Sequence, residues 1–289
     1  MLRRSRLFLA VSFSAVVLCG CGGAAGGAQP SAGATASTTA AAKDKKQQFE
    51  AAKADCMKQK GFKYVPYVKP EEQVSEEERK RDSGDYQAMR KYREKYGFEA
   101  FSQFVYPDEI GIPAAVADHE ADPNAAVIGS LSGAQLDAYN KAKDGCVSQA
   151  AKKVLDLELK SNLDYFNQLT LTKRRILGDE LDSDPKLVEL AASMSTCLKG
   201  KGHPVSDMKP SAMDKRGRLV FLEEIKALAR KQQGDEHQQP DLTPAQARPY
   251  LVKEVKAALD DLECGKDFYA VFTPKETAIT QQVDDQFAF

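Results

Sequence analysis

The chain has 289 residues, with 41 basic against 42 acidic side chains and no tryptophan. That balance argues against a nucleic-acid binder, which would show a basic face. The length allows one large or two small domains with real cores, whose bulky side chains must be Phe, Tyr and Leu.

The first six residues carry Arg3, Arg4 and Arg6 and no acid, and an apolar run follows from Leu7 to Leu18. A basic start before a short apolar stretch reads as a secretory signal, too short for a permanent membrane-spanning helix. The run ends in Leu18-Cys19-Gly20-Cys21. This resembles the bacterial lipobox, with an aliphatic residue three before an invariant cysteine and a small residue just before it. The resemblance implies cleavage before Cys21, acyl chains on Cys21 and attachment to a membrane. Cys19 stands where Ala or Ser is commoner. Ordinary cleavage without lipid is the alternative. The twin-arginine route has its Arg3-Arg4 pair here but lacks the usual flanking residues. Loss of residues 1–20 removes three arginines, which leaves 38 basic against 42 acidic residues and a formal charge of −4.

Residues 21–46 are rich in Gly, Ala, Ser and Thr with little apolar bulk. A segment that buries so little cannot offset its ordering entropy, so it reads as a disordered tether. Its root-mean-square reach is about 25–30 Å.

Four cysteines follow: Cys56, Cys146, Cys197 and Cys264. An even number in an exported chain suggests disulfides. Two of them open near-copies of one motif, Cys56-Met57-Lys58-Gln59-Lys60-Gly61 and Cys197-Leu198-Lys199-Gly200-Lys201-Gly202. Both copies read as helix ends. Lysines complement the negative pole of the helix, and a glycine adopts the left-handed conformation that closes it. Asp184-Pro185 is a good helix start. Along that helix Leu187, Leu190, Met194 and Cys197 share a stripe, which predicts that Cys197 faces the core. Phe49, Ala52 and Cys56 do the same in the first copy. Cys146 lies on a stripe from Leu136 to Val154 in a helix started by Ser132. Cys264 falls opposite the stripe Leu251, Val255, Ala258, Leu262. Four cysteines allow three pairings, and the repeat favours one bridge per half, Cys56–Cys146 and Cys197–Cys264.

The expected architecture is mainly α: two related disulfide-stabilised helical units, 47–156 and 157–289, after the signal (1–20) and the tether. Helical periodicity also marks Asp85–Tyr96, Leu219–Lys231 and Leu157–Leu181, the last with a break near Gly178. Glu71–Lys95 reads as a solvated helical surface. Phe62–Val68 alternates like a short strand that Pro66 confines to an edge or an extended loop. Residues 98–130 read as a long loop, and the tail from Thr273 as frayed. The aromatic run of Tyr96, Phe98, Phe101, Phe104 and Tyr106 packs over the core on the simplest reading and binds a ligand on the other.

Cys-Met-x-x-x-Gly-Phe, the Ala138-Tyr139 to Gly145-Cys146 element, the second Cys-x-x-x-x-Gly and the closing Asp261-Leu262-Glu263-Cys264 together resemble a broad group of actinobacterial secreted lipoproteins of uncharacterised function. The resemblance covers most of residues 47–272 and implies location and disulfides, with no activity. His203 takes the place of the aromatic or His that follows the glycine there, a structural role.

Catalytic chemistry leaves no motif. His119, His203 and His237 lack metal-ligand spacing. Asp118, His119, Glu120, Asp122 and Asn124 crowd one loop, yet the turn glycine and closing Glu of a calcium loop are missing. No nucleophile elbow or phosphate-cradling loop occurs. The pairs Glu223/Glu224 and Asp260/Asp261 are expected on exposed helix faces, and a paired-carboxylate hydrolase needs a geometry that sequence does not reveal. No cofactor and no metal are expected. The leading expectation is a lipid-anchored extracytoplasmic protein, a non-enzymatic binding or scaffold module at the cell envelope, whose partner is the membrane at Cys21, with an envelope protein or a small ligand of unknown identity as a further candidate. The alternatives are an envelope hydrolase, and a protease inhibitor or structural spacer.

Overall fold

In the computed structural model the described residues are 32–70, 74–110, 122–235 and 238–288, with side chains from residue 41 onward. They are mainly helical and contain no strand. The chain runs through α1 (Ala32–Gln59), α2 (Glu76–Asp82), α3 (Tyr86–Tyr96), α4 (Ser102–Val105), α5 (Pro123–Gly129) and α6 (Gly133–Ala150). A π turn, Ala151–Leu155, continues α6. Then come α7 (Asn162–Leu181), α8 (Pro185–Gly200), α9 (Pro210–Gln233), α10 (Pro244–Cys264) and α11 (Lys266–Phe287).

The helix starts follow local chemistry. Asp184 Oδ1 accepts from the Lys186 and Leu187 amides at 2.8 and 3.1 Å, with Pro185 in the first turn. Asp85 Oδ1 caps α3 through the Ala88 amide at 2.8 Å. At the start of α6, Gln135 Oε1 reaches back to the Ser132 amide at 2.9 Å.

Two helix pairs organise the molecule, α1 with α6 and α8 with α10, and each is closed by one disulfide. Cys56–Cys146 spans a Cα–Cα distance of 5.4 Å and Cys197–Cys264 one of 5.5 Å. The local repeat is real in three dimensions. The Phe62 amide donates to the Met57 carbonyl and the Gly61 amide to the Lys58 carbonyl; the His203 and Gly202 amides do the same to Leu198 and Lys199. Gly61 and Gly202 have φ of 81° and 85°, the left-handed residue of a Schellman closure. Met57 and Leu198, each following its cysteine, are fully buried.

The long helix α11 joins the pairs. Phe268, Tyr269 and Phe272 enter a core with Leu187, Ala191, Met194 and Leu198 of α8. Val283 and Phe287 enter a second core with Phe49 of α1 and Tyr165 and Leu169 of α7. Tyr165 fastens that end by donating to the Phe287 carbonyl at 2.7 Å. Helices α3 and α4 pack chiefly on α10, so residues 76–105 precede the expected boundary at 156/157 in the chain yet pack with the later helices.

Several expectations are corrected. Residues 32–46 of the expected disordered tether belong to α1. Composition measured how little they can bury, but alanine has the highest helix propensity, and a run of it extends a helix nucleated downstream. Cys197 is exposed, because the buried stripe of α8 is Leu187, Ala191, Met194 and Leu198. The tail is not frayed: Ile279, Val283 and Phe287 are buried. Of the two readings for Phe62–Val68 the loop holds: the segment forms no strand and is fastened by Asn124, whose amide bonds both the Val65 N–H (2.8 Å) and carbonyl (2.9 Å). Helix α7 starts at Asn162, after Asp156 in the left-handed region, and runs through Gly178 without a break.

Candidate functional site

The implied acyl site, Cys21, and the signal lie outside the described residues, as do Asp118, His119, Glu120 and His237. No helix among the described residues is long and apolar enough to cross a membrane. Nor does any group of three or more His, Cys, Asp or Glu side chains there come together as a metal site. Asp122 and Asn124 do structural work. Asp122 Oδ1 accepts from the Asn124 amide at 2.8 Å at the start of α5, and Asn124 holds the extended segment.

The four disulfide cysteines are placed as the repeat favoured. The bridges differ in exposure. Cys56 and Cys146 are buried, whereas Cys197 is exposed and Cys264 half-buried. Around the second bridge Lys201 Nζ donates to Asp260 (2.9 Å) and Glu263 (2.6 Å), and His203 Nε2 lies 3.1 Å from Asp260. Lys201 and His203 hold the Asp260 carboxyl below its usual range.

The aromatic run packs over the core, as its simplest reading had it. Phe101 is fully buried, stacks on Tyr250 at 4.8 Å, and joins Phe221, Ile225 and Leu251 in an apolar cluster. Glu254 pins the segment from inside α10. Its carboxylate accepts the amides of Phe98, Ala100 and Phe101 at 2.7–2.8 Å while wholly buried. Burial raises its pKa and the three amides work against that rise. Gly97, at φ 62°, is forced here, since a Cβ would stand 2.8 Å from Glu254 Cγ.

Behind the second bridge sits a charge network that sequence placed on the surface. Asp261 is fully buried, which corrects its expected exposure. Arg93 Nη1 of α3 donates to its Oδ2 at 2.9 Å, Arg216 Nη2 of α9 to its Oδ1 at 2.8 Å, and Tyr269 Oη to its Oδ2 at 2.5 Å. Burial and the Asp261 charge push the Tyr269 phenol well above its usual range. Two half-buried carboxyls border this network. Burial raises Asp214 to about 6 against the opposing charges of Arg93 and Lys215. Burial and then the Asp214 charge raise Glu276 to about 7, opposed by Lys215 and Lys173. Groups of this kind mark functional sites and structural ion networks alike.

At the first unit a half-open cleft of about 450 Å³ runs between Phe62, helix α5 and the start of α6. Its walls include Pro123, Val127, Leu131 and Tyr139. Phe62 meets the Tyr139 ring edge-on at 5.6 Å. Tyr139 is 1% exposed, and its hydroxyl has no hydrogen-bond partner. Burial and the Asp122 charge raise its pKa. In the sequence Tyr139 falls within the apolar stripe from Leu136 to Val154; the wall opposite it comes from α5, whose start and length no periodicity announces.

Comparison with protein families, with curated proteins and with solved structures finds no match to this chain.

Proposed function

We propose that this chain is a lipid-anchored extracytoplasmic protein, a non-enzymatic binding or scaffold module held at the cell envelope by acyl chains on Cys21. The paired disulfides carry the reading, because such bridges form and persist in oxidising compartments. The lipobox resemblance agrees with them, and the cleft of the first unit offers a surface for binding. The test is fractionation of cells expressing the chain and its Cys21→Ala variant. The parent is expected with membranes and the variant in the soluble extracytoplasmic fraction; a variant that stays with membranes contradicts the anchor. Crosslinking of the parent in its membrane identifies what it holds.

Asp214 and Glu276 favour a second reading, an envelope hydrolase. Two carboxyls with raised pKa values at a half-buried site suit general acid and base work. Asp214→Asn and Glu276→Gln that abolish a hydrolysis measured with the parent would establish that reading in place of the first.

A further inference from the structure

We infer that the outward row of α7 docks on an anionic lipid surface and holds the helical body against the membrane that carries Cys21. This docking rests on the anchor at Cys21 and adds a second, reversible contact to it.

Helix α7 is set firmly from within. Tyr165 and Leu169 pack with Phe49 of α1, and Tyr165 donates to the Phe287 carbonyl at 2.7 Å. That fixes what faces outward. Leu163, Phe166, Thr170 and Arg174 recur every three or four residues along one side, with Asn167 and Leu171 beside them. All of them are exposed, Leu163 by 69%, Phe166 by 42% and Leu171 by 59%. Phe166 is braced by the buried Tyr165 ring, which meets it edge-on at 5.2 Å. Three large apolar side chains thus face outward within about 12 Å of helix length.

The charges suit an anionic surface. No residue of the row is acidic. Lys160 stands just before it and Arg174 closes it; both are exposed, and neither pairs with a carboxylate among the described residues. Of the carboxylates nearby, Glu158 is taken by Lys152 and Asp179 by Arg175. Asp156 and Glu180 lie beyond the two ends of the row. Leu and Phe on the apolar side with basic flanks are what a helix lying in a lipid interface presents. Each basic residue close to an anionic surface strengthens such binding about fivefold.

The chain keeps the row near lipid. From Cys21 to Ala32, where α1 begins, is at most about 40 Å of backbone. Phe49, whose ring stacks on Tyr165 at 5.8 Å, follows about 26 Å along that helix. An anchored chain therefore holds Phe49 within about 65 Å of the headgroups. At that range even a weak contact forms, because the surface is always at hand.

The chain has no tryptophan, so Phe166→Trp makes a single fluorescent reporter on the row. The full chain is purified from cell membranes with its anchor in place. It is returned to vesicles of phosphatidylcholine, with or without phosphatidylglycerol, whose brominated acyl chains quench tryptophan on contact. The Phe166→Trp reporter is expected to be blue-shifted and quenched in vesicles that contain phosphatidylglycerol, and less so in phosphatidylcholine alone. Lys160→Gln and Arg174→Gln should lower the ratio of docked to undocked chain about fivefold each. Leu163→Ser with Leu171→Ser should abolish the quenching while the melting temperature holds, since both side chains are exposed. Val252→Trp is the control for charge without an apolar row. Val252 is 64% exposed on α10 among Arg248, Lys253 and Lys256, and its reporter is expected to stay unquenched. Flotation with anionic vesicles without quenching at Phe166→Trp leaves the anchor standing and overturns the docking. Quenching as strong at Val252→Trp overturns it too. So does a Phe166→Trp emission that is blue-shifted without vesicles and relaxes on dilution, which gives the row to a second copy of the chain. A chain that floats with neither vesicle contradicts the anchor and the docking together.

Discussion

The two disulfide-closed helix pairs share a backbone motif and solve its surroundings differently. In the first, Cys56–Cys146 is buried, and Lys60 lies over Gly145, where an added Cβ would stand 4.0 Å from its Nζ. In the second, the residue before the cysteine is Glu263, and Lys201 binds it together with Asp260. Further in, the first pair is lined by Met57, Tyr139 and Ala142, whereas the second backs onto the Arg93–Asp261–Arg216 network. One local frame therefore serves an apolar wall with an open cleft and an ionic latch with a buried charge. What differs is the side chain one helical turn before the second cysteine, Ala142 or Asp260, and the helix that reaches in from elsewhere.

The buried network gives the largest expected effect. Asp261→Ala leaves two arginines with little access to water and without the carboxylate they hydrogen-bond, a loss of about 3–5 kcal/mol in urea unfolding. A loss below about 1 kcal/mol would show that water reaches them. Removing one bridge, as Cys56→Ala with Cys146→Ala or Cys197→Ala with Cys264→Ala, should cost about 2–4 kcal/mol in either unit. The sequence separations of 90 and 67 predict costs within about 0.3 kcal/mol of each other in the chain-entropy model. A larger gap in unfolding free energy would assign the excess to the native surroundings of one bridge. Gly217→Ala comes next. Its Cβ would fall 2.1 Å from Phe98 Cζ, so the ring must move, at about 1–3 kcal/mol of stability in the same assay.

The pH dependence is smaller and belongs to the second unit. Asp214 and Glu276 have folded pKa values raised to about 6 and about 7, so between the ordinary carboxylate range and those values the folded state binds more protons than the unfolded one. Their contribution favours folding at about pH 4–5 and is lost as pH rises through 6 and 7, on the order of 1 kcal/mol per group. Thermal melts of the parent against Asp214→Asn with Glu276→Gln should show that slope only in the parent.

Much of the fold was legible in the sequence because its signals are local. Gly61, Gly202, Asp184-Pro185 and Ser132 mark helix ends through chemistry within a few residues, and the repeated motif pointed to the pairing. Cys197 was misplaced because Leu187, Leu190, Met194, Cys197 and the buried row through Ala191 and Leu198 fit one helical period equally well. Only the neighbour chosen by α8 decides between them. The Asp261 network was invisible for a different reason: its partners Arg93, Arg216 and Tyr269 come from three other helices. Likewise the cleft depends on α5 meeting Phe62 across a long stretch of chain, and an unpartnered hydroxyl has no sequence signature.

The two-unit account meets its most direct test in non-reducing peptide mapping of the purified, oxidised protein under a rising concentration of a thiol-free reductant. The account predicts Cys56–Cys146 and Cys197–Cys264 peptides, with the exposed Cys197–Cys264 bridge opening first and the buried one surviving until the fold loosens. A peptide joining Cys146 to Cys197, or the buried bridge opening before the exposed one, would contradict it.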